Sequence, residues 1–581
     1  MPRTWLAEHC RQFLFVWLAC IAALALQSLG FGGQPFGLGP DPDDAMRFVQ
    51  LRDLLEGGGW FDLHQQRLGL EGTDIHWSRL ADLPFLLVAW PLQVFVGADA
   101  AIRIAGTVVP LLLSGLLVGG WLRGLWALHN ARPGTEAASK LPMSAIAVVP
   151  FFALAFAPRF GFGAFDHHHL QIGLLAVALG VSLVARPSRL DGAVVGIALG
   201  MGVVIGLETA PHIAALCGVW ALLWAWQGEA RAQATVAFGT TLAVTALVGL
   251  LVFTSRSWQV CDAFGLPLAG WLVLGGSGLA AGAALSPGSR GPRLLCLGGI
   301  ALAAAAWTLA GAQGCLANPM SALSEDVRLN WLAHVTEARP ITSAAVPLPV
   351  KAATSGPILS AMLAGVFMAV RARGRERWLL AGLVAFAAVS LSVTLYQIRF
   401  YTFAMVPAAL LLGTALIRAL EWDTSPLRRM PTVLAVAALS LGALHGMAAT
   451  LVTSGPDAQT GIVAADARLS VDCASDQTLS VMDALPASRF LVPLDTAPQV
   501  LATTRQSVVA GNYHRGWRDI GVVLELYRLP SEGRADALRG HGIDYVLDCD
   551  TAEIQGFWAA TPGLDATVPG LPQGVAIYPV E

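Results

Sequence analysis

Charge is scarce in this sequence. Only 13% of its 581 residues are Asp, Glu, Lys or Arg, and 36 basic residues face 39 acidic ones, a formal net charge of −3. A chain with no basic excess lacks the electrostatic footprint of nucleic-acid binding, so that class is set aside. Cysteine is scarce too: eight residues, too few and too scattered for a disulfide scaffold. There is no internal repeat and no low-complexity tract beyond the Ala/Gly/Leu bias of membrane helices. Nor does a small-residue cleavage site of A-x-A type close the first apolar run, about Phe13 to Leu29, which follows Arg3 and Arg11. That run reads as a retained span and not as a signal peptide.

What the chain has in abundance is apolar sequence: 55% hydrophobic residues and a mean hydropathy of +0.61. This excludes an ordinary soluble domain and predicts a polytopic α-helical membrane protein. Spans are expected near 12–33, 103–122, 142–158, 168–185, 191–207, 210–226, 235–253, 266–284, 294–312, 356–371, 378–396, 400–418 and 432–452, thirteen in all. Leu83 to Gly97 is apolar but short and split by Pro91, so it is assigned to a surface or re-entrant helix on the outer side. The positive-inside rule tests the parity. With the N-terminus cytoplasmic, the inner loops hold Arg123, Arg132, Lys140, Arg186, Arg189, Arg231, Arg290, Arg293, the "RARGRER" cluster at 371–377, Arg418, Arg428 and Arg429. The short outer loops hold only Arg159, Arg256 and Arg399.

The organisation expected is a transmembrane domain, residues 1–452, with outer loops at 34–102 and 313–355, followed by an extracytoplasmic domain at 453–581. In the latter, "SRFLVPLD", "RQSVVAGNY" and "IDYVLDC" alternate like short strands between Gly and Pro turns, which predicts a small α/β domain. An oxidising compartment would permit a bridge between its Cys473 and Cys549. The location expected is a bacterial inner (plasma) membrane.

Polar residues collect on the outer side. "FGAFDHHHLQIGLLAV" sets Asp166, His167, His168 and His169 at the lip of the fourth span. One histidine there reads as headgroup solvation and Asp166 as an N-cap; four titratable groups in succession point to a site. "GPDPDDAMRF" holds Asp41, Asp43 and Asp44, which repel one another unless a cation compensates, and Arg47 alone is too little charge. The plain alternative is a capped turn. "WLAHVTEARPI" flanks Glu337 with His334 and Arg339, and "YQIRFYTFAMVP" opens a late span with Arg399, which either snorkels or meets an anion. "IHWSRLADLP", with His76, Trp77 and Arg79, reads as an interfacial anchor. Carboxylates and imidazole from separate loops make an oxygen-rich site for Mg²⁺ or Mn²⁺, the nitrogen favouring Mn²⁺.

In this order and on this side of the membrane, the four pieces resemble the catalytic subunit of oligosaccharyltransferase and its single-subunit bacterial and archaeal relatives, of the GT-C class of membrane glycosyltransferases. That family has an Asp followed six residues later by Arg in its first outer loop, a spacing kept by Asp41 and Arg47; Asp43 and Asp44 are extra. Its archaeal Asp-x-His metal motif matches Asp166 and His168. Its Ser/Thr-x-x-Glu motif has a variant in "HVTEARP", and its donor-contacting "RF" pair matches Arg399 and Phe400. The sequon-reading "WWDYG" string does not occur; the nearest aromatic cluster is "GNYHRGWRD", so transfer to asparagine is not carried over.

The resemblance implies a GT-C-like fold and metal-assisted transfer of a sugar or oligosaccharide from a polyprenyl-phosphate or pyrophosphate lipid to an acceptor of unknown kind on the non-cytoplasmic face. Asp41, Asp43, Asp44, Asp166, His168 and Glu337 are then the candidate metal ligands, and Arg399 the donor-phosphate residue. Asp41, Asp44 and Glu337 are candidates for orienting the nucleophile, and Arg47, His167, Tyr513, His514 and Arg515 for substrate contact. The rival readings are a transporter or flippase of lipid-linked substrates, marked by ionisable residues in mid-span, where Glu208 and His212 come closest, and a non-catalytic relative.

Overall fold

The computed structural model describes residues 5–133, 143–285, 288–317, 319–422, 425–453, 473–549, 557–564 and 567–580. Lys140 and the start of the expected tail domain, 454–472, lie outside the described residues. Apolar runs in hydrocarbon must satisfy their own backbone, and these do so as helices. Among the described residues, nine are long and apolar enough to cross a membrane: His9–Gly30, Ala98–His129, Leu207–Gln227, Glu229–Phe253, Leu266–Leu285, Arg290–Leu316, Leu348–Arg371, Gly374–Tyr396 and Ile398–Glu421. The pair Leu427–Ser440 and Gly442–Val452, bent by 81°, makes ten when taken as one span.

The three other runs expected to span form shorter helices: Ala147–Phe160, His168–Ser182 and Arg189–Ile205. Their ends are set by sequence. Gly161 to Asp166 breaks the helix between the first two, and Ser188 with Asp191 makes a capping box that starts the third. His168–Ser182 packs on Ala98–His129 so closely that a Cβ on Gly180 would lie 1.9 Å from the Gly120 carbonyl oxygen, an approach only glycine permits. Ile398–Glu421 is the central helix; most of its apolar window is buried.

Leu83–Val96 exposes Leu87, Trp90, Val94 and Phe95, an apolar face that nothing in the described residues covers. Trp77 is not the interfacial anchor expected from sequence. It is only 5% exposed, with the Arg47 guanidinium stacked 4.5 Å over its ring, whereas Trp90 is exposed.

After residue 472, a four-stranded sheet is built in the order Ser507–Val508, Arg489–Leu491, Tyr545–Cys549, Val575–Pro579. The first three strands run parallel and the last pairs antiparallel. Helices Asp476–Ala484, Ala497–Thr503, Trp517–Arg528 and Ser531–Gly540 connect and cover the sheet. Arg52 and Arg67 of the first outer loop donate to the carbonyls of Leu501, Ala502 and Thr504, satisfying the C-terminal end of Ala497–Thr503. Arg528 grips Asp326 of the 313–355 loop through two bonds of 2.8 Å. Two disulfides are present, Cys473–Cys549 and Cys261–Cys315. The second joins the segment before Leu266–Leu285 to the segment after Arg290–Trp307 and was not anticipated.

Candidate active site

Two glycine-rich turns deliver the first acids. Gly163 has φ +75°, and a Cβ there would lie 2.5 Å from the Gly39 nitrogen; the Gly39 N–H instead donates to the Gly163 carbonyl at 3.0 Å. This contact sets the start of helix Pro42–Leu55 against the start of His168–Ser182. Asp41 caps the former, accepting the Asp43 N–H at 3.1 Å. Asp44 accepts the backbone N–H of Asp166 at 2.7 Å.

Asp166 is the hub. One of its oxygens lies 2.7 Å from His167 Nδ1 and the other bonds His168 Nδ1. One ligand atom from each of Asp166, His167 and His168 falls within 4.8 Å of the others. Burial opposes ionisation of Asp166, but the imidazoles of His168 and His167 overrule it and hold the carboxyl well below its usual range. Burial likewise works to lower His167, while Asp166 and then Glu208 raise it to about 10.

Arg159 ties the hub to the other loops. Its guanidinium lies 2.8 Å from Asp41, 3.6 Å from Asp166 and 3.8 Å from Glu337. The structure thus brings together carboxylates expected from three separate loops. Glu337 reaches in from the turn Thr336–Ala338 and keeps its side chain 60% exposed. Its turn is tied to the Arg399 segment by the Ile398 N–H to the Arg339 carbonyl, 3.0 Å. Arg399 itself is half-buried, its Nε has no hydrogen-bond partner, and its charge acts on Glu208.

Asp43 is held up, well above the usual carboxylate range, by burial and then by Asp166 and Asp41; Asp44 is held up by burial and then by Asp41 and Asp166. So many acids in one place need more positive charge than Arg159 supplies. Asp43 faces Tyr513, whose phenol is pushed up by burial and then by the charges of Asp43 and Asp41.

Other candidates are placed differently. Arg47 is fully buried, paired with Asp82 at 2.7 Å and 3.3 Å from His167 Nδ1. His514 and Arg515 both bind Asp262, at 2.9 Å and, through two bonds, at 2.6 and 3.0 Å. Asp262, His76, Glu208 and Arg515 line a small cavity beside His167, with room for about one water molecule. Sequence reasoning passed over Arg159 and Glu208 as site residues, although Arg159 was already conspicuous as one of few outer arginines. Glu208 lies 3.7 Å from His167 Nε2 and 3.3 Å from Gln171 Nε2.

The donor set fits a divalent ion. It offers one carboxylate and two imidazoles within mutual reach, a His167 Nε2 that is buried without a hydrogen-bond partner, and a surplus of buried acid. Two nitrogens suit Mn²⁺ or Zn²⁺ better than Mg²⁺.

No family model matches the chain, and no curated protein matches it by sequence. Solved structures do match it in fold. The archaeal oligosaccharyltransferase AglB from Archaeoglobus fulgidus, in complex with an inhibitory peptide and a dolichol-phosphate, superposes with a TM-score of 0.61 at 14% identity, over 96% of this chain and 71% of that one. The A. fulgidus oligosaccharyltransferase tethered to an acceptor peptide gives 0.61 at 13%, over 96% and 71%. Its complex with Zn and sulfate gives 0.56 at 13%, over 94% and 69%. This chain is a polytopic membrane protein with the fold of the oligosaccharyltransferases.

Proposed function

We propose that the protein is an inverting, metal-assisted glycosyltransferase. It moves a sugar or oligosaccharide from a polyprenyl-phosphate or pyrophosphate lipid to an acceptor on the non-cytoplasmic face. The observation that carries this reading is the meeting of Asp41, Asp166 and Glu337 around Arg159, against the Asp166–His167–His168 cluster. The AglB likeness supports it, since those relatives were solved with dolichol-phosphate, with acceptor peptide and with Zn.

Asp166, His167 and His168 would hold the ion. Among the first-loop acids Asp43 is the best additional ligand, because Asp41 is engaged by Arg159 and by its own helix, and Asp44 by the Asp166 N–H. A divalent ion held by these residues would supply positive charge to a phosphate leaving group. Arg399, with an open Nε, binds the donor phosphate. Glu337 and Asp41, on the Arg159 side of Asp166, accept hydrogen bonds from the acceptor and orient it. Arg47, buried under Trp77 and beside His167, positions that imidazole and does not touch substrate.

The three shorter helices complete thirteen spans, crossing where the irregular segment 161–167 and the turn 206–209 line the site and not lipid. The N-terminus is cytoplasmic and the domain after residue 453 extracytoplasmic. The four paired cysteines all lie on the outer side in that topology, while Cys10, Cys20, Cys217 and Cys296 remain free.

The test is reconstitution of the full chain with polyprenyl-linked sugars and a divalent ion, following release of the polyprenyl phosphate or pyrophosphate. Wild type releases it in a metal-dependent manner and D166A does not. Absence of metal-dependent binding of either lipid by wild type would overturn the reading.

A further inference from the structure

Near the inner ends of the helices, buried and half-buried arginines meet an acid or, as Arg293 does, the carbonyls of Ser289 and Trp224. Arg123 pairs with Asp191 at 3.2 Å, Arg132 with Glu421 at 3.1 Å, and Arg418 with Glu376. Arg231, in the first turn of Glu229–Val248, has no carboxylate partner among the described residues. It is only 3% exposed, and its Nε and Nη2 have no hydrogen-bond partner. The face of Trp220 lies 5.0 Å from the guanidinium carbon. A ring face recovers only part of what a buried cation loses on leaving water.

The surroundings add to the imbalance. The charged neighbour acting on Arg231 is another cation, Arg375. Arg375 donates to the Leu183 carbonyl at 3.1 Å, at the end of His168–Ser182, while Trp220 Nε1 bonds Ser182 there at 2.8 Å. These contacts place Arg231, Trp220, Ser182, Leu183 and Arg375 in one locus. Arg189, whose own partner is the neutral Gln233, lies beside the same turn of Glu229–Val248. The adjoining helix Ala210–Gln227 exposes Val219, Leu222 and Trp226, the last with the Arg290 guanidinium 4.1 Å over its ring.

We propose that this locus binds the phosphodiester headgroup of a net-negative glycerophospholipid from the leaflet at this end of the bundle. The phosphate bridges Arg375 and Arg231, and the chains lie along Val219, Leu222 and Trp226. A zwitterionic headgroup fits less well, because its ammonium would add a cation where two already lack acids. The site is separate from the outer cluster and independent of the transferase reading.

Thermal unfolding of the full chain in detergent tests it, with titrations of phosphatidylglycerol, phosphatidylcholine and inorganic phosphate. Phosphatidylglycerol raises the midpoint of wild type saturably and phosphatidylcholine does not. R231Q needs about fivefold more phosphatidylglycerol for the same rise, the loss expected for one arginine at an anionic surface. An R231Q response equal to wild type overturns the proposal. So does protection by inorganic phosphate equal to that by the lipid, which makes the ligand a free anion. Should R231Q fail to fold, R375Q serves, because the Arg375 side chain is exposed; the same loss supports the site and an unchanged titration overturns it.

Discussion

The carboxylate of Asp44 accepts the backbone N–H of Asp166 at 2.7 Å, joining positions 122 residues apart. This bond fixes where the Asp166 side chain begins, so Asp44 acts through Asp166. D44A leaves a buried N–H unsatisfied and lowers stability by about 1–3 kcal/mol. Metal affinity, measured by calorimetry, falls with it by roughly 10–100-fold, as for groups that orient a ligand. D44N keeps an acceptor oxygen and retains most of both. Equal losses in D44A and D44N would show that the charge of Asp44 matters and not its bond.

The first-loop acids separate by substitution. D43A abolishes metal-dependent donor release and weakens metal binding, whereas D41A preserves metal affinity within about threefold and raises KM for the acceptor. The reverse pattern would transfer the ligand role to Asp41.

Arg159 stands among carboxylates where it supplies the positive charge that a metal also supplies. R159A therefore tightens divalent-ion binding while lowering kcat by about 100-fold or more, because acceptor positioning through Asp41 and Glu337 is lost. Weaker ion binding in R159A would mean that the guanidinium organises the ligands and does not compete with the ion.

Asp262 carries a pH signature of its own. Burial opposes its ionisation, but hydrogen bonds and charge from His514 and Arg515 hold its pKa well below the usual carboxylate value. A carboxyl depressed in the folded state contributes stability that is fully present above its unfolded pKa, near 4, and is lost as pH falls toward the folded value. D262N accordingly costs about 2 kcal/mol at pH 7 and progressively less below about pH 4. A pH-independent difference in unfolding midpoint would refute the assignment.

The C261S/C315S double variant folds but frees the root of the loop that carries Glu337. KM for the acceptor rises while donor-lipid affinity stays constant, as read by steady-state kinetics and lipid titration. A change in donor affinity alone would locate the disulfide's influence elsewhere.

Much of this was legible in the sequence because a bilayer imposes length and polarity on every span. Asp166 and His168 stood out as polar groups at the lip of an apolar run, Glu337 through a variant of a family motif, and Arg399 as an arginine opening a late span before Phe400. The sequence marked Arg159 only as a breach of the positive-inside trend, since nothing local says that three loops meet on it. Glu208 read as a helix-end acid because its partner His167 comes from another helix. Trp77 was misjudged because a tryptophan beside arginine looks the same whether it faces headgroups or cradles a buried guanidinium. The Cys261–Cys315 pair was hidden by separation along the chain, as was the ion pair of Asp262 with Arg515.

Between Cys261 and Cys315 the chain runs through two complete membrane helices, Leu266–Leu285 and Arg290–Trp307. During synthesis the earlier thiol must wait until both helices have been inserted before its partner emerges on the same side. Closure of this bridge therefore reports that the pair of helices has been threaded with correct parity. A cell short of thiol oxidant would accumulate inserted and folded chains that lack this mark.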